Sequence, residues 1–573
     1  MVFIRKIRCL ALLLFAGVAS SFIPSQSLTK RQIPKSPANV KTITSPSGVT
    51  IRYKEPGKQG ICETTPGVNS YSGYIDLSPT SHSFFWFFES RRDPANDQIT
   101  LWLNGGPGSD ALIGLFSELG PCNVTKANQT QLNPYSWNEV SNLLFISQPI
   151  GVGFSYAEQA PGSLNNETGE YKNSSQAPVE GVYPVIDPEL VDTTDLAAVS
   201  AWHVLQGFYS ALPQLASNVK SKEFNLWTES YGGHYGPSFF QYFYEHNQKI
   251  AKGEEAGIQL QLNTLGIGNG VIDELIQMPY YPEFAVNNTY GIKGINDTEY
   301  TFAKFALNRR GGCIDQIAAC RKTNYTTPTE RAICAQASNM CRDNVEGIYE
   351  ALSDRNTYDV RENSNNTVPP EYWKKYLNRA EVQDALGVAA NYSSGNSEIY
   401  YAFQASGDFV YPSFVKDMGM LLDQGVRVIL YYGDADYICN WFGGEALSLA
   451  VNYTHATQFR SSGYAPFLVN ATEYGAVRQY GNFSFVRVYE AGHLVPYYQP
   501  LASLELFRRA IEGRDMATGA MVLRDDLSTT GPPNSTRTEP FVPLPKETGE
   551  DGGPPKVVVW REGERKAEPW FAF

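Results

Sequence analysis

Residues 227–237 read "WTESYGGHYGP". The preceding "EFNL" and the aromatic Trp227 have the character of a strand, and the glycines after Ser230 open a turn into a helix. A serine in a strand–turn–helix setting resembles the G-x-S-x-G nucleophile elbow, where small residues are needed because strand and helix nearly collide. Gly232 fills the later glycine position, but Thr228 stands at the earlier one, so the strict pattern fails. Taken alone, "TESYGG" reads equally well as a helix N-cap serine. Glu229 raises a second question, because a carboxylate directly before a nucleophile looks counterproductive.

Outward from this stretch, apolar strand-like runs alternate with helical ones: "QITLWLN" (98–104), "SNLLFISQ" (141–148), "EFNLWTES" (223–230), "NTLGIGNG" (263–270), "RVILYYGD" (427–434) and "FSFVRVYEAG" (483–492). Residues 192–213, "DTTDLAAVSAWHVLQGFYSALP", repeat their apolar positions at helical spacing. Strand–helix–strand alternation predicts an α/β fold, a mainly parallel sheet with helices on both faces. In such sheets, sites form at the carboxyl edge of the strands. Four of these runs end there in Gly105-Gly106, Ser230, Asp434/Asp436 and, through "YEAGHLVP", His493.

A serine hydroxyl needs a base, and the chain has six histidines. His234 and His246 fall on the helix that follows Ser230, His82 and His203 precede it, and His455 sits in the sequon "NYTH". His493 fits the order Ser, acid, His of this fold class. The acid that orients the imidazole is Asp434 or Asp436, and spacing alone does not choose between them. Backbone N–H donors for an oxyanion come from the residue after the nucleophile, Tyr231, and from the glycine loop of "LWLNGGPG", with Gly106 as the expected donor.

The chain has 573 residues, 42% hydrophobic and 13% aromatic, ample for a large core. A formal net charge of −13 and the lack of a basic stripe argue against nucleic acid or anionic lipid as partner. Arg5, Lys6 and Arg8 precede "CLALLLFAGVA" and then small residues, the layout of a secretory signal over 1–20. Residues 21–44 read as a pro-segment or linker, with Lys30-Arg31 a candidate processing point. No later run is long enough to span a bilayer, and "KAEPWFAF" lacks the tail of a lipid-anchor signal, so no membrane anchor is expected. Secretion to the extracellular space, rather than to a vacuole, is the expectation, and oligomeric state is not readable. Sequons at Asn123, Asn128, Asn166, Asn173, Asn287, Asn296, Asn324, Asn365, Asn391, Asn452, Asn470, Asn482 and Asn534 predict a glycoprotein.

With Cys9 lost in the signal, seven cysteines remain. Cys313 and Cys320 are seven apart, as are Cys334 and Cys341, so on two antiparallel helices the nested pairs Cys313–Cys341 and Cys320–Cys334 are favoured among three possible connectivities. Cys62–Cys122 then follows by elimination and leaves Cys439 free. No CxxC spacing supports zinc, and neither metal nor cofactor is expected. Residues 281–390 are polar and sequon-rich and read as an inserted helical cap within a domain spanning 45–514. Beyond about Arg514, Pro, Gly and Thr dominate, and 515–573 reads as a flexible tail.

Together, "LWLNGGPG…LFSELGP", "QPIGVGFSY", "ESYGGHYGP", "GNG", "GDADYICNW" and "AGHLVPYYQP" resemble the serine carboxypeptidase family, most of all its secreted fungal members, from roughly Ser45 to Ile511. The resemblance implies an α/β-hydrolase fold with a helical insertion, and release of C-terminal residues from peptides and proteins by Ser230, Asp436 and His493. It also implies that Trp102, Asn104, Glu118 and Glu229 bind the substrate's carboxylate. Two carboxylic acids can donate to a carboxylate if they hold protons, which burial and mutual proximity favour; an acidic pH preference for peptides follows. Where relatives read GGPG-Cys-Ser-Ser, this chain has Ser109-Asp110-Ala111, so their bridge from that cysteine to the insertion is missing. An acyltransferase or esterase would need the triad but not the carboxylate-binding set. An inactive glycoprotein on the same fold would need neither.

Overall fold

A computed structural model describes residues 33–165 and 170–543. The expected signal segment, Asn166 and the chain beyond 543 lie outside the described residues. The sheet has twelve strands: β1 (Lys41–Thr44), β2 (Thr50–Lys54), β3 (Ser70–Ser78), β4 (Ser81–Phe88), β5 (Ile99–Leu103), β6 (Asn142–Ile146), β7 (Glu223–Glu229), β8 (Gln261–Gly268), β9 (Arg427–Gly433), β10 (Ala465–Val469), β11 (Thr472–Tyr480) and β12 (Phe483–Val488). They lie in the order β1-β2-β3-β4-β6-β5-β7-β8-β9-β12-β11-β10. The central six, β6-β5-β7-β8-β9-β12, are all parallel, and the flanking strands pair antiparallel.

The central strands are buried on both faces, and their side chains alternate between two cores, as a period of two requires. Leu101, Phe224, Leu226, Val428 and Leu430 enter one core; Trp102, Trp227, Ile429 and Tyr431 enter the other. The first core is covered by α1 (Thr194–Leu215) and α2 (Gly232–Ala251). In the second, Trp137 stacks on Phe507 of the later helix Pro500–Ile511, centroids 4.2 Å apart.

Between β8 and β9 the chain is helical, including α3 (Asp297–Asn308), α4 (Cys313–Cys320), α5 (Pro328–Cys341) and α6 (Ser397–Ser406). Cys313 bonds Cys341 and Cys320 bonds Cys334, tying α4 to α5, while Cys62 bonds Cys122 and Cys439 is free and buried. A three-stranded antiparallel sheet over Glu158–Leu164, Tyr171–Asn173 and Gly181–Val185 has no counterpart in the sequence reading.

Two expectations are corrected. Residues 515–543 do not hang free: they form an extended strap in which Met516 and Leu527 are buried, and buried Arg478 and Arg487 donate to its carbonyls at Pro533, Ser535 and Arg537. Asn391 and Asn482 are poor glycan carriers. Asn391 is fully buried with its amide bonded to Val182 and Asn378, and the Asn482 amide nitrogen donates to Leu422 and Val426 carbonyls. Asn123, Asn173, Asn287, Asn296, Asn324, Asn365, Asn452, Asn470 and Asn534 are exposed.

Candidate active site

Ser230 follows β7 directly and adopts φ +63°, a left-handed conformation that non-glycine residues rarely take. Its N–H donates to Gly268 O at 3.1 Å, and its carbonyl accepts from Gly233 N and Val271 N. The ends of β7 and β8 and the start of α2 therefore over-determine the strained turn. The Thr228 departure has a local resolution: its hydroxyl donates to Gly232 O at 2.8 Å. A Cβ on Gly232 would meet the Thr228 Cβ at 2.6 Å, so the later glycine makes room for the threonine.

The glycine loop after β5 lies on this turn. A Cβ on Gly105 would meet Tyr231 N at 2.3 Å and Glu229 O at 2.7 Å, an approach only glycine permits. The next residue, Gly106, has φ +103°. Tyr231 precedes α2, so its N–H points out of a helix N-terminus, where backbone donors are unused and the dipole favours negative charge.

The two aspartates after β9 separate cleanly. Asp434 bonds Tyr290 Oη at 2.7 Å and Arg487 at 3.2 Å, within a fully buried ion pair. Asp436 Oδ2 bonds His493 Nδ1 at 2.7 Å and accepts from Asn269 Nδ2 at 2.8 Å. His493 lies in the loop after β12, its N–H donating to Tyr358 O at 2.8 Å and its ring 5.0 Å from the Tyr358 ring. Burial raises the Asp436 carboxyl, and the facing imidazole pulls it back. Asn269 belongs to the quoted "GNG", but nothing local marks it as the second partner of the acid.

Cys439 also donates its N–H to Asp436, and its thiol interacts with Ser230. Burial, then the Asp436 charge, pushes that thiol well above its ordinary pKa, so it is a neutral S–H. Among the described residues, Asp436, Cys439 and His493 are the group whose ligand atoms lie within 4.8 Å of one another. A protonated thiol and an imidazole already bonded to its acid make a poor metal donor set.

Beside the turn lies a buried carboxyl pair. Asn104, just past β5, accepts through Oδ1 from Trp102 Nε1 at 2.8 Å and Gly114 N at 2.9 Å. Its amide nitrogen is thereby turned towards Glu229 Oε1 at 3.1 Å and Glu118 Oε1 at 3.5 Å. Glu118 sits on a short π-helical turn, Leu115–Leu119. Burial pushes Glu118 up to about 7. Burial, then the Glu118 charge and a hydrogen bond between the two carboxyls, lifts Glu229 well above the usual range. The pair holds protons in acid.

Comparison with known proteins points to one family. The family model described as serine carboxypeptidase matches residues 56–513. Carboxypeptidase S1 homolog B of Arthroderma otae is 40% identical over 536 residues, 86% of this chain and 81% of the relative. Carboxypeptidase S1 of Penicillium janthinellum is 36% identical over 460 residues, 80% of this chain and 99% of the relative. The crystal structure of Kex1(Δ)p, a prohormone-processing carboxypeptidase from Saccharomyces cerevisiae, superimposes with a TM-score of 0.60 at 21% identity, covering 79% of this chain and 94% of that one, a likeness of fold. With an α/β-hydrolase sheet carrying a strained serine, an aspartate-paired histidine and relatives of this kind, the chain belongs to the serine carboxypeptidase family.

Proposed function

We propose that this chain removes C-terminal amino acids from peptides through an acyl-enzyme, with Ser230 as nucleophile, His493 as general base and acid, and Asp436 orienting the imidazole. His493 takes the Ser230 proton as Oγ attacks the last peptide carbonyl, and the N–H groups of Gly106 and Tyr231 receive the oxyanion. His493 then protonates the departing amino acid, and water attacks the acyl-enzyme by the same route. Trp102 fixes Asn104, and Asn104 with protonated Glu118 and Glu229 donates to the substrate's terminal carboxylate.

The observation that carries this reading is chain adjacency: Glu229, one of the protonated pair, immediately precedes Ser230. A carboxylate held there places the last peptide bond at the nucleophile, which makes cleavage exopeptidic. The exposed sequons and three disulfides support maturation in the secretory pathway and export from the cell. The test compares a blocked dipeptide with its C-terminal amide at about pH 5. Free-acid substrate should turn over at least ~100-fold faster in kcat/KM, the scale of losing buried charge-assisted hydrogen bonds. Ser230→Ala should abolish both activities. Equal rates on acid and amide would refute the carboxylate site.

A further inference from the structure

Tyr231 offers its N–H to the oxyanion in the reading above, but nothing in "ESYGG" explains what holds that N–H on target. Its side chain is anchored at the far end. Tyr231 Oη donates to Asp408 Oδ2 at 2.6 Å. The same oxygen accepts from Thr194 Oγ1 at 2.5 Å and Thr194 N at 3.1 Å, the first residue of α1. Between hydroxyl and backbone the Tyr231 ring is walled in: His234 stacks on it at 4.3 Å, and Phe409 and Phe403 meet it edge-on at 4.8 and 5.8 Å. His234 is itself fixed by ring contacts to Val271 O and Phe409 O.

Asp408 is placed from outside the sheet. It follows Gly407, the left-handed cap of α6, φ +83°. A Cβ on Gly407 would meet the Cys334 Cβ at 2.5 Å and Ala335 N at 2.7 Å, so α5, stapled to α4 through Cys320–Cys334, presses directly on this cap. Asp408 is 2% exposed and separated from Tyr231 by 177 residues.

We infer that Asp408 is a positioning residue for the oxyanion site, holding the Tyr231 side chain so that the Tyr231 N–H stays aimed where the oxyanion forms. The assignment deepens the proposed acyl-transfer reading and rests on it. It gives the helical insertion a part in catalysis: α5 sets Gly407, Gly407 sets Asp408, and Asp408 sets the donor. Three donors converge on one oxygen, so what the site requires at 408 is an acceptor rather than a charge.

The experiment uses the full chain with Tyr231→Phe, Asp408→Ala, the double variant and Asp408→Asn. Active sites are counted by fluorophosphonate labelling of Ser230, so that misfolded protein does not enter the rates. Tyr231→Phe keeps the ring packing and loses only the anchor. It should lower kcat about tenfold at unchanged KM, less than the 10²–10³ for deleting an oxyanion donor outright, and slow fluorophosphonate labelling in parallel. Asp408→Ala should do the same, and the double variant should be no slower than Asp408→Ala. Asp408→Asn, whose amide oxygen still accepts, should recover most of the rate. Wild-type kcat and labelling rates in Tyr231→Phe overturn the proposal, as does a loss confined to KM or a double variant slowed by the product of the two single effects. If the wild-type chain labels at Ser230 but leaves peptides intact, the exopeptidase reading fails, while the labelling rates still report on the oxyanion site.

Discussion

At the scale of single residues, Glu229, a group that looks harmful to a nucleophile, becomes useful in the proposed reading. Ionised, it would oppose both the attack and the incoming carboxylate; protonated and hydrogen-bonded to Glu118 and Asn104, it is a donor. Burial pushes Glu118 up to about 7, so the pair loses a proton as pH rises through that value. A negative charge on the pair then faces the substrate carboxylate, and binding weakens by up to tenfold per pH unit, about 1.4 kcal/mol. KM for a free-acid peptide should therefore be flat in acid and climb above about pH 7, while kcat on a C-terminal ester, which needs no carboxylate contact, keeps its rate there. Glu118→Gln, a neutral donor at every pH, should flatten the climb; KM–pH profiles of the variant that superimpose on wild type would exclude the paired-acid account. Ser230, the Asp434/Asp436 pair and His493 stood out because each follows a strand end with a chemistry-bearing residue, while only the family resemblance singled out Asp436; Thr228 looked disqualifying because its accommodation by Gly232 is a contact in space. Asn269 and Asp408 left no such trace: their partners are 167 and 177 residues away, and an asparagine or aspartate in a loop has many bland readings.

Among elements, the parallel strands were readable because burial on both faces turns them into near-continuous apolar runs such as "RVILYYG", whose alternation between two cores leaves few polar positions. The small sheet at 158–185 was not, because "EQAPGSL" and "GVYPV" are rich in Gly and Pro and are held by cross-strand pairing and by Asn391 from elsewhere. The strap was misread for a related reason. Composition predicts whether a segment can build its own core, and 515–543 cannot, but buried arginines of other elements supply the partners its backbone needs. Arg487 is the chief of these: it bonds Ser535 O, Ser535 Oγ and Arg537 O while pairing with Asp434, two residues from Asp436. Ending the chain after Pro532 should leave that guanidinium with unmet buried donors, at about 1–3 kcal/mol each. The truncated protein should show a lower unfolding midpoint and, because Arg487, the partner of Asp434, loses the strap oxygens that hold it, fewer turnovers per fluorophosphonate-labelled site. A truncation that leaves the urea midpoint where it was would mean the strap lies on the surface without holding it.

For the whole molecule, the buried and half-buried carboxyls act together. Burial raises Asp110 to about 6 and Asp408, Asp417, Glu118 and Glu346 each to about 7, and lifts Glu229 and Glu274 well above the usual range. For acids raised in the folded state, the sign is fixed. Below the unfolded-state pKa of about 4, both states hold the proton and the folded state bears no penalty. Above it the unfolded chain releases protons that the folded chain keeps, so stability falls as pH rises, until each folded pKa is passed. Each carboxyl in this condition adds to that decline. Carboxyls held low by their partners, Glu63 and Asp515 among them, act oppositely and lose their contribution only as pH drops towards their own lowered values. The two sets together place the stability maximum in mild acid, and the net charge of −13 at neutrality, which repels itself, pushes the same way. Urea titrations at several pH values should give a free energy of unfolding that peaks near pH 4–5 and declines to pH 7.5, steepest between about 5 and 7. Because Glu118 and Glu229 belong to this set, the acid range in which the fold is firmest is also the range in which the proposed site would hold a peptide's free end. A free energy that instead rises from pH 5 to pH 7 would show that these acids are ionised in the folded protein, and would remove the basis for both the stability profile and the carboxylate site.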